Sequence, residues 1–251
     1  MPIQKSLAFV LRKQELRETS LILTFYTKDF GKIKGILRGV RGPRAQCGGA
    51  NIEIFSLDEI VFYERKRGGI FTVSNCDLID YFYPVRKSLE KLACAAYMVE
   101  LLDSVTVLGG ANEGAFELLS NSLKLLSGES SAKRAARIFE IKLLSLLGLM
   151  PTMELCAGCG RRIEKDFRFS FHNGGLICDK CYAGDRNARP ILAGTAKFIE
   201  HIRSYPFEKA ERIKVAREVG RELEMILRRF LDYHIERRLK TVKFLSDIEK
   251  G

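Results

Sequence analysis

Two pairs of cysteines, each with two residues between its members, constrain this chain more than any other feature. Cys156 and Cys159 form the first pair, Cys178 and Cys181 form the second, and eighteen residues separate the pairs. A two-residue gap lets both thiolates of a pair face one point, and the longer interval accommodates a β-hairpin that returns the second pair to the first. The spacing therefore predicts a zinc ribbon at about residues 154–183.

Four thiolates complete a tetrahedral zinc site and leave no position for a reactive water, so we expect one structural zinc ion per chain. Gly158 and Gly160 agree with this prediction, since such a turn needs backbone N–H groups directed at sulfur and positive φ angles. His172 is an alternative ligand, but the hairpin would carry it away from the metal. Disulfides are the other alternative, and they are typical of small secreted chains.

The length of 251 residues and the hydrophobic content of 46% are typical of a soluble globular protein with one large or two medium domains. Residues 1–14 contain only a short apolar run, which is too brief for a signal peptide or a membrane span. We therefore expect a cytoplasmic protein that does not associate with membranes. Cys47, Cys76 and Cys94 are widely spaced and fit ordinary reduced thiols.

The net charge of +11 predicts a polyanionic partner. Residues 1–83 carry 13 Lys and Arg against 9 Asp and Glu, residues 84–155 carry 8 against 8, and residues 156–251 carry 21 against 14. Both ends of the chain are basic and its middle is neutral. This distribution indicates two separate contact surfaces on either side of a structural core.

Residues 1–83 have the pattern of five short β-strands that alternate or run apolar. The expected strands are Ser6–Leu11, Ser20–Tyr26, Lys32–Leu37, Glu53–Tyr63 and Ile70–Val73. Lys28–Gly31 and Arg67–Gly69 fit hairpin turns between them. Five strands in about 80 residues predict a small closed barrel of the OB-fold type, whose exposed face often binds single-stranded nucleic acid.

Beyond Pro84 the pattern changes to amphipathic helices. We expect a helix capped by Ser88, helices over about 113–126 and 132–147, a short helix from Thr195, and one long helix from about Glu208 to Leu239. The predicted fold class is therefore α+β. An OB-fold domain over residues 1–83 precedes an α-helical domain over residues 84–251, into which the four-cysteine zinc ribbon is inserted.

Basic residues are concentrated in two segments that we predict to contact DNA. The segment within the barrel holds five cations and no acid: Lys32, Lys34, Arg38, Arg41 and Arg44. The segment near the end of the last helix holds Arg228, Arg229, Arg237, Arg238, Lys240 and Lys243. Distributed cations of this kind neutralise phosphates without reading bases. The alternatives are a charged edge strand that resists aggregation and a solvated helix face.

A series of short motifs follows a fixed order along nearly the whole chain. The motifs are Glu18-Thr19-Ser20, Phe30-Gly31-Lys32, Arg38-Gly39, Gly148-Leu149, the paired cysteines, Gly174-Gly175-Leu176, and Tyr233-His234 through Arg237-Arg238 to Phe244-Leu245. In this order they resemble the bacterial DNA repair protein family RecO. The complete set of cysteines lets the zinc ligands of that family carry over to Cys156, Cys159, Cys178 and Cys181.

The resemblance implies a recombination mediator rather than an enzyme, located in the bacterial cytoplasm with the nucleoid. Members of the family bind single- and double-stranded DNA, anneal complementary strands, bind the C-terminal tail of the single-stranded DNA-binding protein SSB, and work with RecR to help RecA load. No motif here identifies the residues that would contact RecR or the SSB tail. The absence of a GxxxxGK[ST] loop indicates that no nucleotide cofactor is used.

Two other classes fit parts of the sequence. A zinc-dependent deaminase would use a His-x-Glu fragment before a CxxC pair, but His234–Glu236 follows both pairs. A passive zinc-ribbon module would bind nucleic acid without annealing it. Such a module predicts a preference for RNA or for one duplex sequence, whereas a mediator predicts salt-sensitive and sequence-tolerant DNA binding.

Overall fold

The structure, a computed structural model, describes residues 2–40, 52–63, 69–163, 165–235 and 238–248. The chain divides into two compact units. The first comprises residues 1–132 together with 239–251, and the second comprises residues 133–238. The predicted domain boundary after residue 83 stays a prediction. Among the described residues, no helix is both long enough and apolar enough to cross a lipid bilayer.

A closed five-stranded barrel forms the first part of the first unit. Its strands are β1 Ile3–Leu16, β2 Ser20–Thr27, β3 Gly31–Leu37, β4 Leu57–Tyr63 and β5 Phe71–Asp80. They close in the order β1-β2-β3-β5-β4, with β4 paired to β1 and with β3 and β5 parallel. This connectivity is that of an OB-fold, so the predicted barrel is confirmed.

The barrel differs from the prediction in the length of three strands. β1 continues to Leu16, where polar residues interrupt the hydrophobic pattern but pairing with β2 persists. β5 likewise continues to Asp80, and β4 begins only after Phe55, whose φ of 59° leaves the extended region. The turn predicted at Lys28–Gly31 joins β2 to β3, whereas most of the turn predicted at Arg67–Gly69 lies outside the described residues.

The barrel interior is filled by alternate strand residues. Leu21, Leu23 and Phe25 of β2 point inward, with neighbouring positions of the strand facing outward. Gly35 lies where β3 meets β5, and an added Cβ would come within 2.5 Å of Cγ2 of Val73. Only glycine therefore permits the close parallel contact that closes the barrel.

Four helices complete the first unit: α1 Tyr83–Arg86, α2 Leu89–Val105, α3 Glu113–Ser127 and α9 Lys240–Ile248. Ser88 caps α2 as predicted, because its Oγ accepts a hydrogen bond from the Lys91 N–H. The carboxylate of Glu100, on α2, accepts hydrogen bonds from the N–H groups of Lys240 and Thr241 at 3.0 and 2.8 Å. A side chain distant in the sequence thus caps α9.

The second unit contains α4, the ribbon and the helices that follow it. Its elements are α4 Ala132–Leu146, β6 Phe167–Ser170, β7 Gly175–Cys178, α5 Asp179–Tyr182, β8 Arg189–Pro190, α6 Ala193–Ser204, α7 Phe207–Ala210 and α8 Arg217–His234. The three strands form a sheet in the order β7-β6-β8. Gly148, with a φ of 69°, follows the end of α4 as the sequence predicted.

The single long helix predicted from Glu208 to Leu239 is wrong. The chain forms α7 and α8, and a further helix begins only at Lys240. Ala216 before α8 and Ile235 after it have extended backbone angles, which interrupt the helical hydrogen bonds. One face of α8 is buried, as its apolar spacing predicted. The buried residues of this face are Leu223, Ile226, Leu227 and Phe230.

An ion-pair cluster joins α2 to the barrel. The carboxylate of Asp103 is buried, and its Oδ2 accepts a hydrogen bond from Nε of Arg12 on β1 at 2.5 Å. Its Oδ1 lies 3.1 Å from Nζ of Lys32 on β3. The same Nζ donates to the carbonyl oxygens of Asp103 and Thr106 at 2.6 and 2.5 Å. One acid therefore neutralises a cation from each of two strands.

We expect Asp103→Asn to lower the free energy of unfolding by about 3 kcal/mol, because it leaves a largely buried lysine without its counter-charge. Urea denaturation of the purified protein measures the change. Glu59→Gln is the matched control, since Glu59 forms a more exposed pair with Lys5 on the barrel and its loss should cost under about 1 kcal/mol. Equal costs for the two variants would contradict a structural role for the Asp103 cluster.

Candidate metal centre and nucleic-acid interface

Four cysteine sulfurs meet at one point in the second unit. The Sγ atoms of Cys156, Cys159, Cys178 and Cys181 all lie within 4.8 Å of one another. Those of Cys159 and Cys178 are 3.8 Å apart. A tetrahedral ion with metal–sulfur bonds of about 2.3 Å would place its sulfurs about 3.8 Å apart. The cluster therefore has the dimensions of a tetrathiolate metal site.

The hairpin predicted between the two cysteine pairs is present. β6 and β7 pair antiparallel, and Cys178 ends β7 immediately before α5. The first pair lies in a tight turn that the Ala157 N–H holds against the carbonyl of Leu176 on β7 at 2.7 Å. His172 lies in the turn of the hairpin and does not belong to the sulfur cluster.

Backbone N–H groups prepare the cluster for a cation. Burial of the Cys156 thiol disfavours its ionised form, but the N–H groups of Cys178, Cys159 and Gly158 donate to its sulfur and bring its pKa down to about 6. Hydrogen bonds with the sulfurs of Cys159 and Cys156 raise the pKa of Cys181 to about 12. The thiols thus share protons that a bound metal cation would displace.

The two glycines of the first turn have different roles. Gly160 has a φ of 73°, which agrees with the prediction of a positive φ. Gly158 is not among the described glycines with positive φ. An added Cβ at Gly158 would instead lie 3.1 Å from Sγ of Cys181, so a larger residue there would push the Cys181 side chain aside.

Lys32 and Lys34 lie on the same side of β3, as the strand period requires. Lys32 is only 11% exposed, and all its donors have acceptors in the Asp103 cluster. We therefore remove Lys32 from the predicted DNA contacts. Lys34 and Arg38 are exposed, and neither side chain has a hydrogen-bond or ion-pair partner within the described ranges. The predicted contacts Arg41 and Arg44 lie outside the described residues.

The strand register aligns a row of half-buried side chains across the outer face of the barrel. This row, called the outer strip here, consists of Ile22, Ile36, Thr72 and Tyr63. Lys34 precedes Ile36 on the same face of β3, and Arg38 follows directly after the end of the strand. Flat bases can contact such a strip while the two cations contact phosphates.

Sequence reasoning missed the outer strip. The run Leu21-Ile22-Leu23 is uniformly apolar, so hydrophobicity does not reveal that Ile22 faces outward. Strand alternation within the barrel would have identified Ile22 and Ile36 as outward residues. That these two residues align with Thr72 and Tyr63 follows only from the strand register of the folded barrel.

The cations predicted near the chain end do not lie on one helix. Arg228 is half-buried on α8, and the neighbouring Arg229 places its guanidinium 5.0 Å from the ring centre of Phe171. Arg238 is exposed beyond α8. Lys240 and Lys243 are exposed on α9, in the other compact unit. Arg237 lies outside the described residues, and DNA contact by this group stays a prediction.

Comparison with known families covers nearly the whole chain. The family model described as recombination protein O N terminal matches residues 1–82. The model described as recombination protein O C terminal matches residues 86–243. The first match contains the barrel and its outer strip, and the second contains the cysteine cluster.

Relatives from several bacteria agree with these matches. The DNA repair protein RecO of Pelotomaculum thermopropionicum is 34% identical over 98% of this chain and 94% of its own length. The DNA repair proteins RecO of Desulforamulus reducens and Syntrophus aciditrophicus are each 31% identical, over 100% and 98% of this chain and 97% and 96% of their own lengths. The chain therefore belongs to the RecO family of DNA repair proteins.

Proposed function

We propose that the protein acts in DNA repair as a recombination mediator that binds single- and double-stranded DNA and anneals complementary strands, including strands coated with SSB. Membership of the RecO family over nearly the whole chain carries this proposal. The outer strip supports it, because annealing requires neutralised phosphates and accessible base edges. Strand pairing breaks no covalent bond, so the protein acts as a binding protein and not as an enzyme.

The same proposal includes protein partners. The protein acts together with RecR and binds the C-terminal tail of SSB directly. The two proteins then help RecA load onto the exposed strand, so the link to RecA is indirect. An acidic amphipathic tail suits a basic and apolar groove of the kind that a net charge of +11 favours. The proposed location is the bacterial cytoplasm, in association with the nucleoid.

The proposed occupant of the cysteine cluster is a single structural zinc ion. Thiolate ligands favour zinc among the common divalent ions, and four of them leave no coordination position open. When bound, the ion supplies cross-links between the first turn and the end of the hairpin. Cys156, Cys159, Cys178 and Cys181 would hold it, and the N–H groups directed at Cys156 would stabilise the thiolate charge.

Protein purified without chelators should contain one zinc per chain by elemental analysis. Cys178→Ser should lose the metal and unfold the ribbon at lower denaturant concentration, because binding energy at such a site is folding energy. Cys94→Ala removes a buried thiol outside the cluster and should keep the metal. Metal-free wild-type protein, or a Cys178→Ser variant that retains zinc, would contradict the assignment.

Annealing without ATP tests the proposed function. Two complementary SSB-coated oligonucleotides should pair faster with the wild-type protein, as measured by fluorescence energy transfer. The variant Lys34→Ala with Arg38→Ala should anneal more slowly. Its DNA affinity should also fall for all sequences, with a salt slope reduced by roughly 0.7–0.9 per lost phosphate contact.

A charge-matched variant, Lys87→Ala with Lys124→Ala, removes two exposed cations elsewhere in the first unit. It should anneal and bind like the wild type. DNA binding without annealing by the wild-type protein would identify a passive zinc-ribbon module. Equal salt slopes for the two double variants would reassign Lys34 and Arg38 to protection of the strand against aggregation.

A further inference from the structure

A recess of about 370 Å³ lies on the surface of the ribbon in the second unit. Its lining combines two carboxylates, one guanidinium and three ring-bearing side chains: Asp166, Phe167, Arg168, Asp179, Tyr182 and Pro190. We call it the ribbon recess. None of its lining residues is one of the four cysteines, and neither predicted DNA-binding segment includes any of them.

The metal cluster and the ribbon sheet hold the walls of the recess. Arg168 on β6 pairs with Pro190 on β8, so two walls come from adjacent strands. Asp179 and Tyr182 lie on α5, which begins directly after Cys178 and contains Cys181. The guanidinium of Arg168 stacks 3.8 Å from the ring centre of Tyr182. The recess is therefore built on the most constrained part of the ribbon.

Three cations adjoin the lining residues in the sequence. Lys165 precedes Asp166, Lys180 follows Asp179, and Arg189 precedes Pro190. All three are exposed, and in the described part of the chain they have no hydrogen-bond or ion-pair partner for their side chains. Free cations around a recess attract a polyanion and contribute most to its affinity.

The charges within the recess restrict what enters it. Asp166 and Asp179 repel a phosphate or the carboxylates of an acidic peptide, which can bind only at the surrounding cations. Ionised carboxylates accept hydrogen bonds and donate none, so they select a group that carries N–H donors. Ring-bearing walls favour a flat group. Cytosine and adenine are flat and carry an exocyclic amino group with two N–H donors, whereas an unpaired thymine offers only its ring N3–H.

We propose that the ribbon recess binds an unpaired amino-bearing nucleobase of single-stranded DNA, while Lys165, Lys180 and Arg189 contact the neighbouring phosphates. This inference rests on the DNA binding proposed above and adds a second contact point with a preference among bases. Asp166 accepts the hydrogen bond from the amino group, and the ring of the base stacks against the aromatic wall.

Fluorescence anisotropy with oligo(dC) and oligo(dT) of equal length tests the base preference on the full-length zinc-loaded protein. The wild type should bind oligo(dC) at least about fivefold more tightly, since the cytosine amino group presents two N–H donors to the carboxylates and an unpaired thymine presents only its N3–H. Asp166→Asn should reduce this preference to under about twofold, because the amide replaces one acceptor oxygen by an NH₂ donor that suits the carbonyl oxygens of thymine. Asp166 has a φ of 51°, a conformation that asparagine also adopts readily, so the backbone should persist.

A second variant tests the phosphate contacts. Lys165→Ala with Lys180→Ala and Arg189→Ala should weaken binding of both oligonucleotides by at least about tenfold and keep the preference for oligo(dC). The charge-matched control replaces three other exposed cations of the second unit by alanine: Lys197, Lys209 and Arg212. Zinc content and circular dichroism verify that every variant is folded.

Equal affinity of the wild type for the two oligonucleotides would overturn this inference and leave the proposed function standing. A preference unchanged in Asp166→Asn would do the same, as would equal losses in the recess variant and its control. A wild-type protein that bound neither oligonucleotide would instead overturn the proposed function and this inference together.

Discussion

The buried carboxylate of Asp103 determines how the outer face of the barrel is divided. It neutralises Arg12 and Lys32 and so fixes the end of α2 against β1 and β3. The segment after α2 follows the same surface, because the Gly109 N–H donates to the carbonyl of Lys32 at 2.8 Å. A Cβ at Gly31 would come within 2.4 Å of the backbone of Gly110, so this contact also requires glycine. The part of the barrel face around Gly31 and Lys32 is therefore covered by protein.

Farther along β3, no described segment covers the exposed side chains of the face. Two residues beyond Lys32 on β3, Lys34 is exposed, Ile36 continues along the same side, and the exposed Arg38 follows the end of the strand. An ion pair inside the first unit thus holds Lys32 within the fold, while Lys34 on the same strand stays exposed to solvent. In the ribbon, the described hydrophobic cluster has three buried residues, Cys156, Ile177 and Ala188, with partly buried side chains packed around them. The proposed metal would add cross-links to this small core.

Local signals in the sequence were sufficient to predict much of the fold and the cysteine cluster. The spacing of the cysteines predicted the cluster and its hairpin, and strand patterns predicted the barrel. The failures were long-range. The sequence around Lys32 does not indicate that this lysine pairs with Asp103, which lies 71 positions later. The apolar spacing before Lys240 likewise does not indicate that a new helix begins there with Glu100 as its cap. Side chains outside the ligand set of a motif, such as those of the ribbon recess, also became a site only once folding brought them together.

Acetylation footprinting of lysines tests most directly the proposal that single-stranded DNA binds the barrel face that carries Lys34. With the free protein, Lys34 and Lys124 should react rapidly and Lys32 slowly, since its amino group is held in the Asp103 cluster. A saturating oligonucleotide should protect Lys34 and leave Lys124 reactive. Unchanged modification of Lys34 in the complex, or rapid modification of Lys32 in the free protein, would contradict the account.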